Sequence, residues 1–268
     1  MNILRDLQIL GWLLVVIAAA QLIPAAGSLI WGEPPLPFLA SAIAAAVPGV
    51  LIARASQPTH DRVRVRDGFV LASVGWLLAA FFGALPYVMT GALHPLDALF
   101  ESVAGFTTTA SSVVRSVEDL PRALLLWRSM TQWLGGMGVL IVAVGLLPFL
   151  GIGGMQLFAS DETRSTADSG RPRFAAVARR LFGVYLGLTA LAFVLLAIAG
   201  LGSFDVFCHA LTSVSTGGFS TRDGSVGSFG SRAVEWVMVV VMFLGATNFA
   251  IHYRIVSGRG TKLWYDGE

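Results

Sequence analysis

Residues 97–111 read DALFESVAGFTTTAS, and a stretch of the same layout returns at 205–219 as DVFCHALTSVSTGGF. The two stretches align without a gap at a constant offset of 108 residues, from Asp97 to Asp205, and each lies between long apolar runs. The repeat therefore predicts two copies of one structural unit.

Each stretch predicts a short helix that Asp97 or Asp205 caps, because an aspartate side chain accepts hydrogen bonds from the free N–H groups of a first helical turn. About ten helical residues rise about 15 Å, half of a ~30 Å hydrocarbon core, so such a helix ends inside the membrane. Irregular backbone at that depth has to be buried in protein or to line water. The sequence therefore predicts two re-entrant pore helices.

A small, hydroxyl-rich segment follows each predicted pore helix. A ring of backbone carbonyls in such segments can replace the hydration shell of a cation. Ordinary polar turns are the alternative, but two copies in register favour an ion filter. The candidate filter residues are Thr107, Thr108, Thr109, Ala110, Ser215, Thr216, Gly217 and Gly218.

The composition is that of a bilayer protein. Apolar residues make up 55% of the chain and charged residues 13%, where a soluble domain has about a quarter charged. The net charge of +2 argues against a nucleic-acid partner. The histidines His94, His209 and His252 are scattered and form no evident catalytic group, so we expect no enzyme and no cofactor. Glu101 and Glu235 are expected at the membrane interface.

Six apolar runs predict six transmembrane helices, which with the two pore helices define an all-α integral membrane protein. The spans are predicted at residues 7–30, 36–53, 69–89, 124–150, 174–199 and 232–255. The glycines of the fourth span predict close helix packing, and Asn248 in the sixth is expected to join helices. The predicted organisation is an N-terminal pair of helices at 1–55 and two parallel span–pore-loop–span repeats at 66–158 and 172–268.

Basic residues predict the orientation. Thirteen of the eighteen fall on the side of both termini, in segments such as 54–66 and 160–173. The positive-inside rule places that side in the cytoplasm. The opposite side, which both pore loops enter, has Arg115, Arg122, Arg128, Arg222 and Arg232.

Several motifs resemble the Trk family of bacterial potassium uptake proteins, specifically the TrkH branch of the Trk, Ktr and HKT superfamily. They are FESVAGFTTT at 100–109, LWRSMTQWLGGMG at 126–138, GIGGMQ at 151–156, SVSTGGFST at 213–221 and NFAIHY at 248–253. The resemblance covers nearly the whole chain.

The resemblance implies four span–loop–span repeats around one pore in a bacterial inner membrane, with two extra helices in front. Each repeat contributes one filter segment for potassium, and cytosolic nucleotide-binding regulatory subunits control opening. Here the filter segments would be Thr107 to Ala110 and Ser215 to Gly218, and residues 1–55 would be the extra helices.

The sequence departs from the family pattern in two respects. It contains two of the four repeats, so we expect the N-terminal half of a transporter, as a truncated or split product, or a half-size protein that dimerises to supply four loops. Ala110 stands where the family usually has a filter glycine, so selectivity for potassium over sodium is expected to be reduced. A non-conducting membrane scaffold or an inactive fragment is the alternative, and ion flux separates the two.

Overall fold

The computed structural model describes residues 3–56, 65–146 and 170–256. These residues form α-helices and a short 3₁₀-helix, with no strand among them. The motif at 151–156, most of the basic segments 54–66 and 160–173, and the tail 257–268 lie outside the described residues. The α-helices are α1 (Ile3–Trp31), α2 (Leu36–Ala55), α3 (Val65–Met89), α4 (Pro95–Phe106), α5 (Arg122–Leu146), α6 (Gly170–Ile198), α7 (Ser203–Val214), α8 (Arg232–Ala246) and α9 (Phe249–Val256).

Four helices in the described part are long and apolar enough to cross a bilayer. They are Ile3–Trp31, Leu36–Ala55, Arg66–Met89 and Val177–Ile198, and they cover the predicted first, second, third and fifth spans. The prediction of an all-helical membrane protein is confirmed at this level. Helix α5 follows the fourth predicted span as far as residue 146, where the described range ends.

The predicted sixth span is wrong as one continuous helix. Helix α8 has 15 residues and ends at Ala246, and Thr247 is extended with ψ of 147°. The Thr247 hydroxyl donates to the Phe243 carbonyl at 2.8 Å, and His252 Nε2 lies 2.9 Å from the Leu244 carbonyl. The Thr247 backbone N–H also donates to both carbonyls, at 3.1 and 3.2 Å, so backbone and side chains together close the end of α8. Asn248 therefore lies at a helix break and not within a span.

The N-terminal helices pack through small residues. A Cβ on Gly11 would lie 2.7 Å from the Gly49 carbonyl oxygen, so only glycine permits this crossing of α1 and α2. Both helices contact α3, and α1 also contacts α5. Gln21 on α1 donates to the Phe82 carbonyl on α3 at 3.0 Å, and Arg5 pairs with Asp67 at 2.7 Å. These contacts hold the N-terminal helices against the first repeat.

The α1–α2 turn and both loops after the short helices meet at one end of the helices. Glu33 in the turn accepts hydrogen bonds from the backbone N–H groups of Arg122 and Ala123 at 2.8 and 3.0 Å. This carboxylate therefore satisfies free N–H groups at the start of α5. Asp223 in the second loop accepts from Val117 N in the first loop at 2.5 Å.

The short helices α4 and α7 have 12 residues each, and both of their bounds differ by the same 108 residues as the sequence repeat. The N-cap residues are His94 and Gly202, so the prediction that Asp97 and Asp205 are caps is wrong. Helix α4 begins earlier because Pro95 suits a first helical position and needs no N–H partner there. Both aspartates lie in the first turn, where a negative charge still favours the helix dipole.

In each repeat, the long helix that follows the short helix has a glycine where it packs against the end of that short helix. A Cβ on Gly135 of α5 would overlap the Phe106 carbonyl that ends α4, and a Cβ on Gly245 of α8 would overlap the Val214 carbonyl that ends α7. The predicted packing role of the glycines in 124–150 is confirmed at Gly135. Backbone therefore lies directly against backbone at the end of each short helix.

We expect Gly135→Ala to destabilise the protein by about 1–3 kcal/mol, because the added methyl meets a rigid backbone carbonyl. Gly183→Ala is the matched control, since no described atom lies within 4 Å of a Cβ at that exposed position of α6. Thermal unfolding of the detergent-solubilised chain compares them. Equal midpoints for the two variants would show that the contact is not tight.

Candidate functional site

Both short helices end in the same hydrogen-bonded turn. Thr108 N donates to the Gly105 carbonyl and Thr109 N to the Ala104 carbonyl, each at 2.9 Å. In the second repeat, Thr216 N donates to Ser213 and Gly217 N to Thr212 at 3.0 and 2.8 Å. This pairing is a Schellman motif, and it satisfies carbonyls at a helix C-terminus.

The left-handed position of that motif is occupied by threonine in both copies. Thr108 has φ of 54° and Thr216 has φ of 53°. Glycine usually takes this position, and positive φ is uncommon for a β-branched residue. The conformation costs roughly 1–2 kcal/mol per residue. The same strained residue thus recurs at the start of both candidate filter segments.

A second left-handed position follows two residues later. Ala110 has φ of 62° and Gly218 has φ of 86°, so the pair that the sequence alignment matches shares one conformation. Only the second repeat has glycine there, and Ala110 therefore carries strain that Gly218 does not. A Cβ on Gly218 would lie 3.1 Å from the Cβ of Ala110, so the structure brings the two segments together at these residues.

The eight predicted filter residues differ in exposure. Ser215 and Gly217 are buried, and Thr108 is half-buried. The remaining members are exposed, namely Thr107, Thr109, Ala110, Thr216 and Gly218. The hydroxyls of Thr107 and Thr109 lie 2.7 Å apart. Most of the first segment and half of the second are therefore open. Gly217 packs against Gln132 of α5, because a Cβ on Gly217 would overlap the Gln132 side chain.

A buried ion pair lies behind the first segment. Glu101 of α4 is fully buried, and its Oε1 is 2.7 Å from Nη2 of Arg128 on α5, which is 2% exposed. Glu101 also accepts from the Ser112 hydroxyl at 3.0 Å and from Val113 N at 3.1 Å. The pair therefore joins the short helix, α5 and the chain that leaves the first segment.

The sequence interpretation of Glu101 as an interfacial residue is wrong, because Glu101 and Arg128 are buried against each other. Their interaction joins residues 27 apart on different helices, so no local pattern revealed it.

The second repeat has a neutral version of this contact. His209 lies at the position of Glu101 by the 108-residue offset, and Ser220 lies at that of Ser112. His209 Nε2 is 3.0 Å from Ser220 Oγ, and its Nδ1 is 2.8 Å from the Asp205 carbonyl. The 108-residue offset that aligned the filter segments therefore also pairs the His209–Ser220 contact with the Glu101–Ser112 contact, and it could have been used to predict one from the other. Met238, seven residues before Gly245 as Arg128 is before Gly135, is buried on α8.

The turn after the second segment has its own charged contact. Asp205 accepts from the Thr221 hydroxyl at 2.5 Å and lies 3.3 Å from Nη2 of Arg222. Asp97, the aligned residue, is exposed. The first-turn aspartate therefore fixes the outgoing chain in the second repeat.

These features define an all-helical membrane protein with two copies of a short helix that ends in a strained turn. A protein-family model described as "TrkH: Cation transport protein" matches residues 37–267. The chain belongs to this TrkH family, as its motifs predicted.

Named relatives agree with that assignment. The Trk system potassium uptake protein TrkH of Halomonas elongata is 36% identical over 94% of this chain and 53% of its own length. TrkG of Escherichia coli K12 is 39% identical over 75% of this chain and 42% of its own length. The crystal structure of the potassium transporter TrkH from Vibrio parahaemolyticus matches with a TM-score of 0.87 and 32% identity, over 99% of this chain and 55% of that one. The chain spans about half the length of the curated relatives it matches.

We expect Glu101→Gln to destabilise the protein by about 3–5 kcal/mol, because it leaves the Arg128 charge buried without its partner. Glu235→Gln is the control, since Glu235 is exposed on α8 and such changes usually stay within about 0.5 kcal/mol. Thermal unfolding in detergent measures both.

The double variant Glu101→Gln with Arg128→Met should recover part of that loss, because it makes the first repeat neutral as His209 and Met238 make the second. A double variant no more stable than Glu101→Gln alone would contradict this account of the pair.

Proposed function

We propose that the chain contributes to potassium transport across a bacterial inner membrane, with residues 107–110 and 215–218 as two segments of an ion filter. The observation that carries the proposal is the recurrence of two left-handed positions at the same offset, Thr108 with Thr216 and Ala110 with Gly218. Family membership and the names of the relatives support potassium as the ion.

The proposed architecture has six spans, the sixth of them broken at Thr247 between α8 and α9, and two re-entrant pore helices. Residues 1–55 form an N-terminal pair of helices, and 66–158 and 172–268 form two parallel repeats. Helices α4 and α7 rise about 18 Å for 12 residues, so each enters the bilayer without crossing it. The first residues after each helix then lie at membrane depth, where exposed backbone has to line water.

A closed filter of this kind needs further segments beside these two. Backbone carbonyls replace the hydration shell of potassium, and half a ring leaves half of that shell unreplaced. We propose that further repeats of the same type, or a second copy of this chain, complete the ring. A cytosolic nucleotide-binding subunit of the Trk type is the proposed regulator.

Ala110 supports a second candidate, a membrane scaffold that does not conduct. Its φ of 62° strains an L-residue where the aligned Gly218 is unstrained. Potassium flux through an assembly with four segments would exclude the scaffold, and its absence from every such assembly would exclude the transport proposal.

We expect Ala110→Gly to raise the potassium-to-sodium permeability ratio of an active assembly, and Gly218→Ala to lower it. The first change removes strain from a filter position, and the second adds strain together with a methyl 3.1 Å from the Cβ of Ala110. Ion-flux measurements in proteoliposomes give the ratio.

The double variant with both changes serves as the control, because it moves glycine from position 218 to position 110 and leaves one methyl at their contact instead of two. An unchanged ratio in Ala110→Gly would show that position 110 is not a filter position.

The proposed orientation has both termini in the cytoplasm. A cysteine placed at Ser116 or Ser225 is then expected to react with a membrane-impermeant maleimide added to intact cells, whereas one at residue 168 should not react. The native Cys208 is 1% exposed and gives little background. Labelling at residue 168 from outside would reverse the topology.

A further inference from the structure

Arg128 contacts the chain that follows both candidate filter segments. Toward the first, its Nε and Nη2 donate to Glu101 Oε1 at 2.9 and 2.7 Å, and Nη2 lies 3.3 Å from Ser112 Oγ. Toward the second, Nη1 donates to the Ser220 carbonyl at 3.1 Å. One side chain of α5 therefore contacts the residues just after the filter segments of both repeats. We call these residues, Ser112 in the first repeat and Phe219 with Ser220 in the second, the exits of the segments.

Phe219, the first residue after Gly218, is held by α5 from two sides. Its buried ring lies under the Arg128 guanidinium, with Cζ 4.2 Å from the ring centroid. Its backbone N donates to Oε1 of Gln132 at 3.0 Å. Residues 128 and 132 are four apart, so both project from one face of the helix. The exit of the second segment is thus fixed by a helix of the first repeat.

We propose that Arg128 is a positioning residue for ion selection, which holds the two candidate filter segments in register with one another. Glu101 fixes the guanidinium, and the guanidinium fixes Ser112 on one side and Phe219 with Ser220 on the other. This inference rests on the proposed function, because it takes the two segments as lining one ion path.

Lysine is the informative substitution at this position. Its ammonium keeps the charge beside Glu101 but is a compact point charge without the planar fork of arginine. A single ammonium cannot replace the paired bonds to Glu101, the bond to Ser220 and the flat contact with Phe219 together. Arg128→Lys should therefore preserve the fold and loosen both exits at once.

Hydrogen exchange in the full-length chain tests this coupling. We expect Arg128→Lys to speed amide exchange about tenfold in peptides from both 107–121 and 215–231, the effect of losing one hydrogen bond to a charged group. Arg122→Lys is the matched control, because Arg122 contacts Glu33 through its backbone N–H and its guanidinium lies 5.8 Å from the ring centroid of Phe204 on α7, outside both exchange peptides. Faster exchange in one loop alone, or in neither, would overturn the inference.

Ion flux separates this inference from the function on which it rests. In an assembly that carries potassium, Arg128→Lys should lower the potassium-to-sodium ratio about tenfold while Arg122→Lys leaves it unchanged. Faster exchange with an unchanged ratio would overturn the selectivity role. If the wild-type assembly carries no potassium, the proposed function fails, and the exchange result alone decides whether Arg128 holds both exits.

Discussion

The last carbonyls of a helix need hydrogen-bond partners from the protein wherever bulk water does not reach them. At the end of α4 the chain itself supplies these partners, because turn amides donate to Ala104 and Gly105 and the Trp76 indole donates to Phe106 at 3.0 Å. This requirement explains why the helix after each loop needs a glycine: Gly135 and Gly245 let a neighbouring backbone close against the terminal carbonyl. The strained threonines follow from the same turn, since its left-handed residue is what aligns the two closing amides.

Behind this shared turn the two repeats differ in electrostatics. The first buries a charged pair, Glu101 with Arg128, and the second has His209 and Met238 at the matching places. Buried ion pairs often add little net stability, because desolvation offsets their attraction. The neutral second repeat shows that the scaffold does not need a pair. The arginine is therefore better explained by its contacts with Phe219 and Ser220, because a methionine such as Met238 has neither a donor for the carbonyl nor a charge for the ring.

Much of the fold could be predicted because its signals are local or periodic. Apolar runs located the long helices, and the 108-residue offset located α4 and α7 and paired residue 108 with 216 and 110 with 218. The left-handed conformation of the two threonines was not predicted, because glycine usually takes that position. The break at Thr247 was missed because neither Thr nor Asn forbids a helix, so no residue type marks the end of α8. The Glu101–Arg128 pair was missed because a charge in an apolar helix does not identify its partner.

The strained backbone of the two segments has to be maintained by contacts with neighbouring groups. Thr108, Ala110 and Thr216 would each relax toward ordinary backbone angles if the surroundings allowed it, at a gain of roughly 1–2 kcal/mol apiece. Such conformations persist only where neighbouring groups over-determine them. The groups that do so here are the carbonyls of α4 and α7, which accept from the turn amides, and Gly135 and Gly245, which pack against the last carbonyl of each short helix. Each segment therefore takes its turn from its own repeat, while the close approach of Ala110 to Gly218 means that a side chain added in one segment would press on the other.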